Sequence, residues 1–535
     1  MGNIRIKPSA SGIDYALSGD RRLNSSYDPR GEARKFIDRQ IDGTPGTVVL
    51  SGCTLGYQVE YILQRYPETK ILCFFFDPVL LAYCTKKLGD RMPPGMLVSG
   101  DTPSPVRGFL SGHIAESDLE GLVFLEWPPS VREYPVQGRC VRNTLSQTVR
   151  EINGSLVTTR FFGKRWIFNT FRNFNTIETF IIPARRSSPV LVTGSGPSLS
   201  DSLKLIQSRR GRLFVLALSS SLRTLLSAGI QPDAVISTDP GFWASVLLRD
   251  LGDKSTPVLS PLSASLPHPA VETSPIVLLN QDTFFENSLL EHTRLPFLLI
   301  PPEGTVAATA VKAALELTCG PVITAGFDFC YRDIFLHARP HAFDLLDETA
   351  SLRTDTLLSR VFRKAFDSSA ETLPGGSRRS LPLKTYAGWF SRQIRPAASR
   401  VYRLLPSEVD IPGFIPLGTA EAAAFLDRTD NVSAVDRSPG QPLSPDHGER
   451  ARVSRMILDG WMNALTVALQ GEDLFFSPSG GTVADLCRTL AVEDLLQMKR
   501  LQRQGEHEKI EPVRQRMLTG IRATIEELRR TYERR

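Results

Sequence analysis

Residues 190–206 read VLVTGSGPSLSDSLKLI, residues 212–222 RLFVLALSSSL and residues 229–240 GIQPDAVISTDP. Each holds an apolar, β-prone run that gives way to small polar residues, and the first passes through a Gly-Ser-Gly-Pro-Ser turn into a helical pattern. Strands delivered to one edge, with a helix behind a glycine turn, predict a doubly wound parallel sheet. Such a helix N-terminus leaves backbone N–H groups free and carries the positive end of the dipole, which suits a phosphate. The sequence therefore predicts a nucleotide or nucleotide-sugar site at Gly194, Ser195, Gly196, Pro197 and Ser198.

Working outward, SPIVLLN (274–280), PFLLIPP (296–302) and GPVITAG (320–326) supply further strands. The strand ends bring Ser219 and Ser220, then Asp239, then Asp328 two residues after Gly326, to the rim where such sheets gather ligands. Each has a plainer structural alternative. Ser198 or Ser200 can cap a helix, and Asp239 before Pro240 fits the N-cap and N1 of a helix over GFWASVLLRDL. The segment ITAGFDFCYRDIFLHARPHAFD (323–344) places His337 and His341 in a loop with Tyr331 and Asp333 nearby. A histidine titrates near neutrality and can take a proton from an acceptor hydroxyl, whereas a surface-loop histidine would do nothing of the kind. Thr305, after Gly304, opens a helix of small residues and is a secondary contact.

Upstream, TVVLSGCTLGYQVEYILQRYP (47–67) and KILCFFFDPVLLAYC (70–84) form a βαβ unit, and GLVFLEWPP (121–129) adds a strand. Asp77, at the end of the second strand, can hold a ribose hydroxyl, although GCTLGY lacks the fuller dinucleotide fingerprint. Trp166, Asn169 and Asn173 share one helix face, and two asparagines there predict a polar contact to a neighbouring loop. The expected fold is α/β: two Rossmann-type parallel-sheet domains in series, followed by a helical C-terminal region. The divisions are an N-terminal domain (1–160), a connecting helix and linker (161–187), a central domain (188–427), a Ser/Pro/Asp-rich linker (428–450) and helices (451–535). Residues 347–382 read as a polar loop, a candidate lid. Val453, Met456, Ile457, Gly460 and Trp461 make one apolar stripe of the tail, and Met517, Ile521, Ile525 and Leu528 another. Either can pack a small bundle or join two copies of the chain.

The formal charge of +6 over 535 residues is mild, and arginines are spread rather than gathered on one element, which argues against nucleic acid as a partner. No apolar run is long enough to span a bilayer, and the first residues lack a signal-peptide core, so a cytoplasmic location is expected. Seven cysteines without a CxxC pair predict buried thiols and no metal cluster.

With these residues assembled, the chain resembles the motility accessory factor family of bacterial flagellin glycosyltransferases. The likeness is carried by GSGPSLSD (194–201), GIQPDAVISTDP, EGTVAATAVKAALELTCGPVITAGFDF (303–329) followed by LHARP, KRWIFNTFRNF (164–174), LSGCTLGYQVEYIL (50–63) and FFFDP (74–78). That resemblance implies a central domain similar to bacterial sialyltransferases. It also implies transfer of a nonulosonic acid, of the pseudaminic or legionaminic type, from its CMP-sugar to Ser or Thr of flagellin. Carried over, Gly194–Ser198 would hold CMP, and His337 would be the base of an inverting transfer. Placement at the sheet edge and in the histidine loop adds Asp239 and Asp328 as catalytic candidates and Ser219, Ser220, Thr305, Tyr331 and His341 as substrate contacts. No cofactor is firmly implied beyond the CMP-sugar donor, and a divalent metal such as magnesium stays open. The chain departs from the sialyltransferase pattern at Ser195, where those enzymes carry Asn.

The central domain also resembles the archaeal 6-hydroxymethylpterin diphosphokinase group, which would have Asp239 and Asp328 hold magnesium and the glycine turn hold ATP. A third alternative is a flagellin-binding protein with a decayed nucleotide fold.

Overall fold

The computed structural model describes residues 4–251, 256–267, 273–367, 369–394, 399–407, 409–428, 437, 440–470 and 481–533. The chain forms two compact units, Met1–Phe161 with Leu486–Ile521, and Phe162–Asp485 with Arg522–Arg535. The helical residues after 447 are thus divided between the two.

In the first unit, four parallel strands lie in the order Gly95–Val98, Lys70–Phe75, Thr47–Cys53, Leu122–Glu126. Thr47–Cys53 is buried along its whole length, as a continuous apolar run in a parallel sheet requires. The helix Tyr57–Arg65 begins at Gly56, whose φ of 81° and position against Cys84 leave no room for a side chain. Asp77 caps the helix Pro78–Leu88, accepting from Val79 N at 2.9 Å. Its carboxylate therefore has a structural task at the start of this helix. A three-stranded antiparallel sheet (Ile4–Pro8, Asp14–Ser18, Arg21–Arg22) and the strand Gly95–Val98 were not foreseen, because each run is only two to five residues long.

The second unit is built on a large sheet whose order is Ile415–Leu417, Val401–Leu404, Val322–Ala325, Val190–Thr193, Phe214–Leu218, Ala234–Ile236, Val258–Pro261, Ile276–Asn280, Phe180–Pro183, Gly440–Leu443. All neighbours are parallel except the last pair, and Leu298–Leu299 pairs beside Ile276–Asn280. Mixed α/β layering with two parallel sheets and C-terminal helices is the expected class.

Several local expectations are corrected. PFLLIPP gives only the two-residue strand Leu298–Leu299, since prolines on both sides withhold ladder donors. The stretch 347–382 is not loop: it forms the helices Asp344–Thr349 and Leu357–Ala365 and the hairpin Glu371–Thr372/Arg378–Arg379. Of the 428–450 linker, 429–436 and 438–439 lie outside the described residues; Gly440–Leu443 is an edge strand and a helix begins at His447. On the helix His447–Leu469, Met456 and Gly460 face out, and the buried face is Arg450, Val453, Leu458, Trp461 and Leu465. The second stripe, Met517 to Leu528, is buried throughout. Cys319 is the exposed exception among the cysteines.

Candidate active site

The strand Val190–Thr193 leaves the sheet between Val322–Ala325 and Phe214–Leu218, so its turn meets the loops of both neighbours. Gly194 N donates to Ala325 O at 2.8 Å, Gly196 N to Gly326 O at 2.9 Å and Ser198 N to the Asp328 carboxylate at 2.8 Å. A Cβ on Gly196 would stand 2.4 Å from Asp328 Oδ2 and 2.6 Å from Gly326 O, so this approach demands glycine. The turn expected to offer free N–H groups to a phosphate thus has three of them engaged, and the anion at the start of Leu199–Ser208 is Asp328 itself. Pro197 and Ser198 are buried with Gly194, which leaves Ser195 and Gly196 within reach of a ligand.

Asp328 is 2% exposed. Its other oxygen accepts from Ser407 Oγ at 3.1 Å, and Ser407 is bonded in turn by buried Arg403. The carboxylate therefore ties two loops to the turn.

The residues after Asp328 form the loop that completes the site. Gly326, Phe329 and Asp333 adopt left-handed φ values of 71°, 51° and 55°, turning the chain off the strand end. The loop is pinned where Ala338 N donates to Ser195 O at 2.7 Å and Thr224 Oγ1 to Pro340 O at 2.9 Å. These ties place His337 Nδ1 3.0 Å from Ser195 Oγ, with the His341 ring stacked on His337 at 4.4 Å and 9°. Neither histidine is the exposed loop residue that was the alternative. His341 Nδ1 accepts from Phe343 N at 3.3 Å, which puts a neutral ring's proton on Nε2, a buried atom with no partner. Burial, then the neighbouring His341, push His337 down to about 3, against a hydrogen bond that the ring donates to the Ser195 backbone and the charge of Asp344. Burial also pushes His341 down to about 4; Asp344 opposes this while Arg223 and Arg339 add to it. Both rings are neutral near pH 7.

The remaining predicted residues scatter along the rim. Ser219 is buried and Ser220 partly so, in a single turn at the end of Phe214–Leu218. The neighbouring Ser221, absent from the prediction, is fully buried and bonded to Thr193 and Leu218. Asp239 is exposed; its carboxylate accepts from Gly241 N at 2.6 Å, and the helix begins only at Phe242, so Asp239 is neither the N-cap nor directed at Asp328. Thr305 is the N-cap of Val306–Leu317, its hydroxyl accepting from Ala308 N. Tyr331 pairs through its backbone with Arg378. Asn169 and Asn173 meet the foreseen loop: Asn169 donates to Ser263 O, and Asn173 to Leu262 O and Ala264 O.

Sequence reasoning missed the aromatic rim. Phe242 and Trp243 are 57% and 59% exposed. Trp243 meets Phe343 edge to face at 5.7 Å, and Phe343 meets His341 at 5.1 Å. The signal was the adjacent pair in GFWAS, which cannot both face the core of one short helix.

Comparison with known proteins follows this geometry. Residues 165–333 match the family described as 6-hydroxymethylpterin diphosphokinase MptE-like. An uncharacterized protein of Treponema pallidum (strain Nichols) is 27% identical over 422 residues, covering 78% of this chain and 89% of its own. A second from the same organism is 25% identical over 192 residues, 34% of this chain and 33% of its own. The solved structure of a Maf glycosyltransferase from Magnetospirillum magneticum AMB-1 superposes with a TM-score of 0.64 at 14% identity, covering 100% of this chain and 93% of that one. The chain therefore has the fold of a Maf glycosyltransferase, with an MptE-like segment at its centre.

Proposed function

We propose that the protein is a glycosyltransferase that moves a nonulosonic acid from its CMP-activated form to a Ser or Thr hydroxyl of flagellin. The observation that carries this reading is the histidine loop folded back on the glycine turn, with His337 Nδ1 at 3.0 Å from Ser195 Oγ beside the strand ends where such sheets take nucleotides. The fold shared with a Maf glycosyltransferase supports it over the full length of the chain.

With Nδ1–H donated to Ser195, neutral His337 presents Nε2 as a lone pair. In the transfer, the acceptor oxygen bonds to the anomeric carbon, the bond from that carbon to the CMP phosphate oxygen breaks, and the acceptor proton passes to Nε2. A ring held near 3 is a weak base in the empty site. The negative charge of a CMP-sugar beside it raises its proton affinity when the substrate is present. The phosphate would meet Ser195, Ser220 and the His341 Nε2–H rather than the engaged N–H groups of Gly194, Gly196 and Ser198.

The MptE-like match favours one second reading, an ATP- and magnesium-dependent diphosphotransferase. Asp328 and Asp239 do not fit a shared magnesium, because one is committed to Ser198 and Ser407 and the other to Gly241. Among the described residues no group of three metal-ligating side chains stands together.

Thermal shift against CMP, CDP, UDP, GDP and ATP, with and without magnesium, separates the readings. Stabilisation by CMP, with mass gain on flagellin that His337→Ala abolishes, is the expected result. Stabilisation by ATP and magnesium alone would replace this proposal with the second reading, and CMP binding without any transfer would favour a flagellin-binding protein.

A further inference from the structure

We infer that the N-terminal unit holds a second small-molecule site, for a ribonucleoside, at the C-terminal edge of its four-stranded sheet between Thr47–Cys53 and Leu122–Glu126. The strand order runs outward from Thr47–Cys53 in both directions, first through Lys70–Phe75 to Gly95–Val98, then back to Leu122–Glu126 on the other side. The strand loops on either side of this reversal diverge, which opens the crevice where doubly wound sheets take their ligands.

Among the described residues, five buried oxygens without a hydrogen-bond partner belong to residues at or beside that strand end: Ser51 Oγ, Glu126 Oε1, Ser130 Oγ, Asn24 Oδ1 and Gln58 Oε1, with Arg142 holding Glu126 through its other oxygen. Ser51 and Glu126 are paired across the two strands in register. Ser130 lies over Gly52, whose Cβ would stand 2.8 Å from the serine Cβ. Asn24 and Gln58 both give their amide N–H to Thr54 Oγ1, which leaves both amide oxygens unanswered. Ser51, Ser130, Asn24 and Gln58 are each at least 98% buried. A buried polar atom left unpaired costs about 1–3 kcal/mol, so five at one edge of one sheet are not a by-product of packing.

The chemistry of the set selects the ligand. Two amide oxygens and a carboxylate oxygen accept and do not donate, so they repel a phosphate and call for hydrogen-bond donors. A ribose diol and an exocyclic amine supply those donors, and the Phe76 ring edge, packed against Gly52, is the apolar surface nearest to them. Entry of a nucleoside requires the short helix Pro128–Glu133, which carries Ser130, to lift from Gly52. This site is separate from the Ser195–His337 pair and does not depend on the transfer chemistry proposed there.

The test is thermal shift of the full chain with adenosine, guanosine, cytidine and uridine, phosphate-free, at millimolar concentration. One of the four is expected to raise Tm saturably in the wild type and equally in His337→Ala. Ser51→Val and Ser130→Val are expected to leave the ligand-free protein as stable or more so, since each removes an unpaired hydroxyl, while abolishing the shift. Ser51→Ala, which adds no bulk, serves should a valine not pack. No shift with any nucleoside would overturn the inference in favour of buried waters alone. A shift that persists in the serine variants, or that disappears in His337→Ala, would overturn it as well.

Discussion

Ser195 Oγ and His337 Nδ1 are separated by 142 residues of sequence and by 3.0 Å in the fold. Two backbone ties bring them together: Ala338 N to Ser195 O, and the register of Val322–Ala325 against Val190–Thr193 that sets both loops at one height. The serine hydroxyl fixes which imidazole nitrogen points inward, and the stacked His341 fixes the plane of the ring. The orientation of the His337 ring is therefore built in before any ligand arrives, as the proposed role of base requires.

Ser195→Ala removes the partner of Nδ1 and leaves the ring free to carry its proton on either nitrogen. Losing one such hydrogen bond is worth about 1 kcal/mol, or roughly a fivefold to tenfold fall in kcat with KM little changed. Steady-state kinetics together with nitrogen-15 shifts of His337 check this. A rise in KM with the tautomer undisturbed would make Ser195 a donor contact instead.

The histidine pair also sets a pH dependence. Burial depresses both rings below the ordinary 6.5, to about 3 for His337 and about 4 for His341. The unfolded chain therefore binds more protons between those values and 6.5. The stability contribution is complete above pH 6.5 and is lost as pH falls toward the folded values. Melting curves from neutral to about pH 5 should fall more steeply for the wild type than for His337→Gln/His341→Gln.

How far the sequence disclosed this arrangement differs from element to element. The strands Val190–Thr193, Phe214–Leu218 and Val322–Ala325 were legible because each is a continuous apolar run ending in small residues. Val258–Pro261 was passed over, as its four residues end in proline amid other short apolar pieces. Val401–Leu404 was not foreseen either, since its four residues, VYRL, form no continuous apolar run. At the site, the glycine turn, the histidines and Asp328 were all named, but their contacts were not. Whether a turn N–H meets a ligand or a carboxylate 130 residues away is decided by tertiary pairing, which local pattern does not encode.

Asp328 distinguishes a structural latch from a metal ligand. Its removal would take from buried Arg403 the stronger of two neighbouring carboxylates, leaving Asp410, and would free Ser198 N and Ser407 Oγ. A buried group that loses its partner costs about 1–3 kcal/mol, so Asp328→Ala should lower Tm in chemical or thermal denaturation. Asp328→Asn, which preserves an acceptor for Ser198 N, should cost less. Equal stability of the wild type and Asp328→Ala would mean that the carboxylate is reserved for a ligand.

Trp243→Ala tests the aromatic rim without touching the core. The indole is 59% exposed and its ring contacts are to Phe242 and Phe343, so the melting temperature should stay close to that of the wild type. An edge-to-face aromatic contact is worth about 0.5–1.5 kcal/mol, which corresponds to roughly a two- to tenfold weakening of whatever ligand the rim contacts. KM for the CMP-sugar or for the acceptor should rise by that factor with kcat nearly constant, and the substrate affected identifies which half of the site the rim serves. The same variant exposes Phe343 and, behind it, His341 to water, so the depressed pKa of His341 should move back toward 6.5 in an NMR titration. Unchanged kinetics together with an unchanged His341 titration would place Trp243 outside the site.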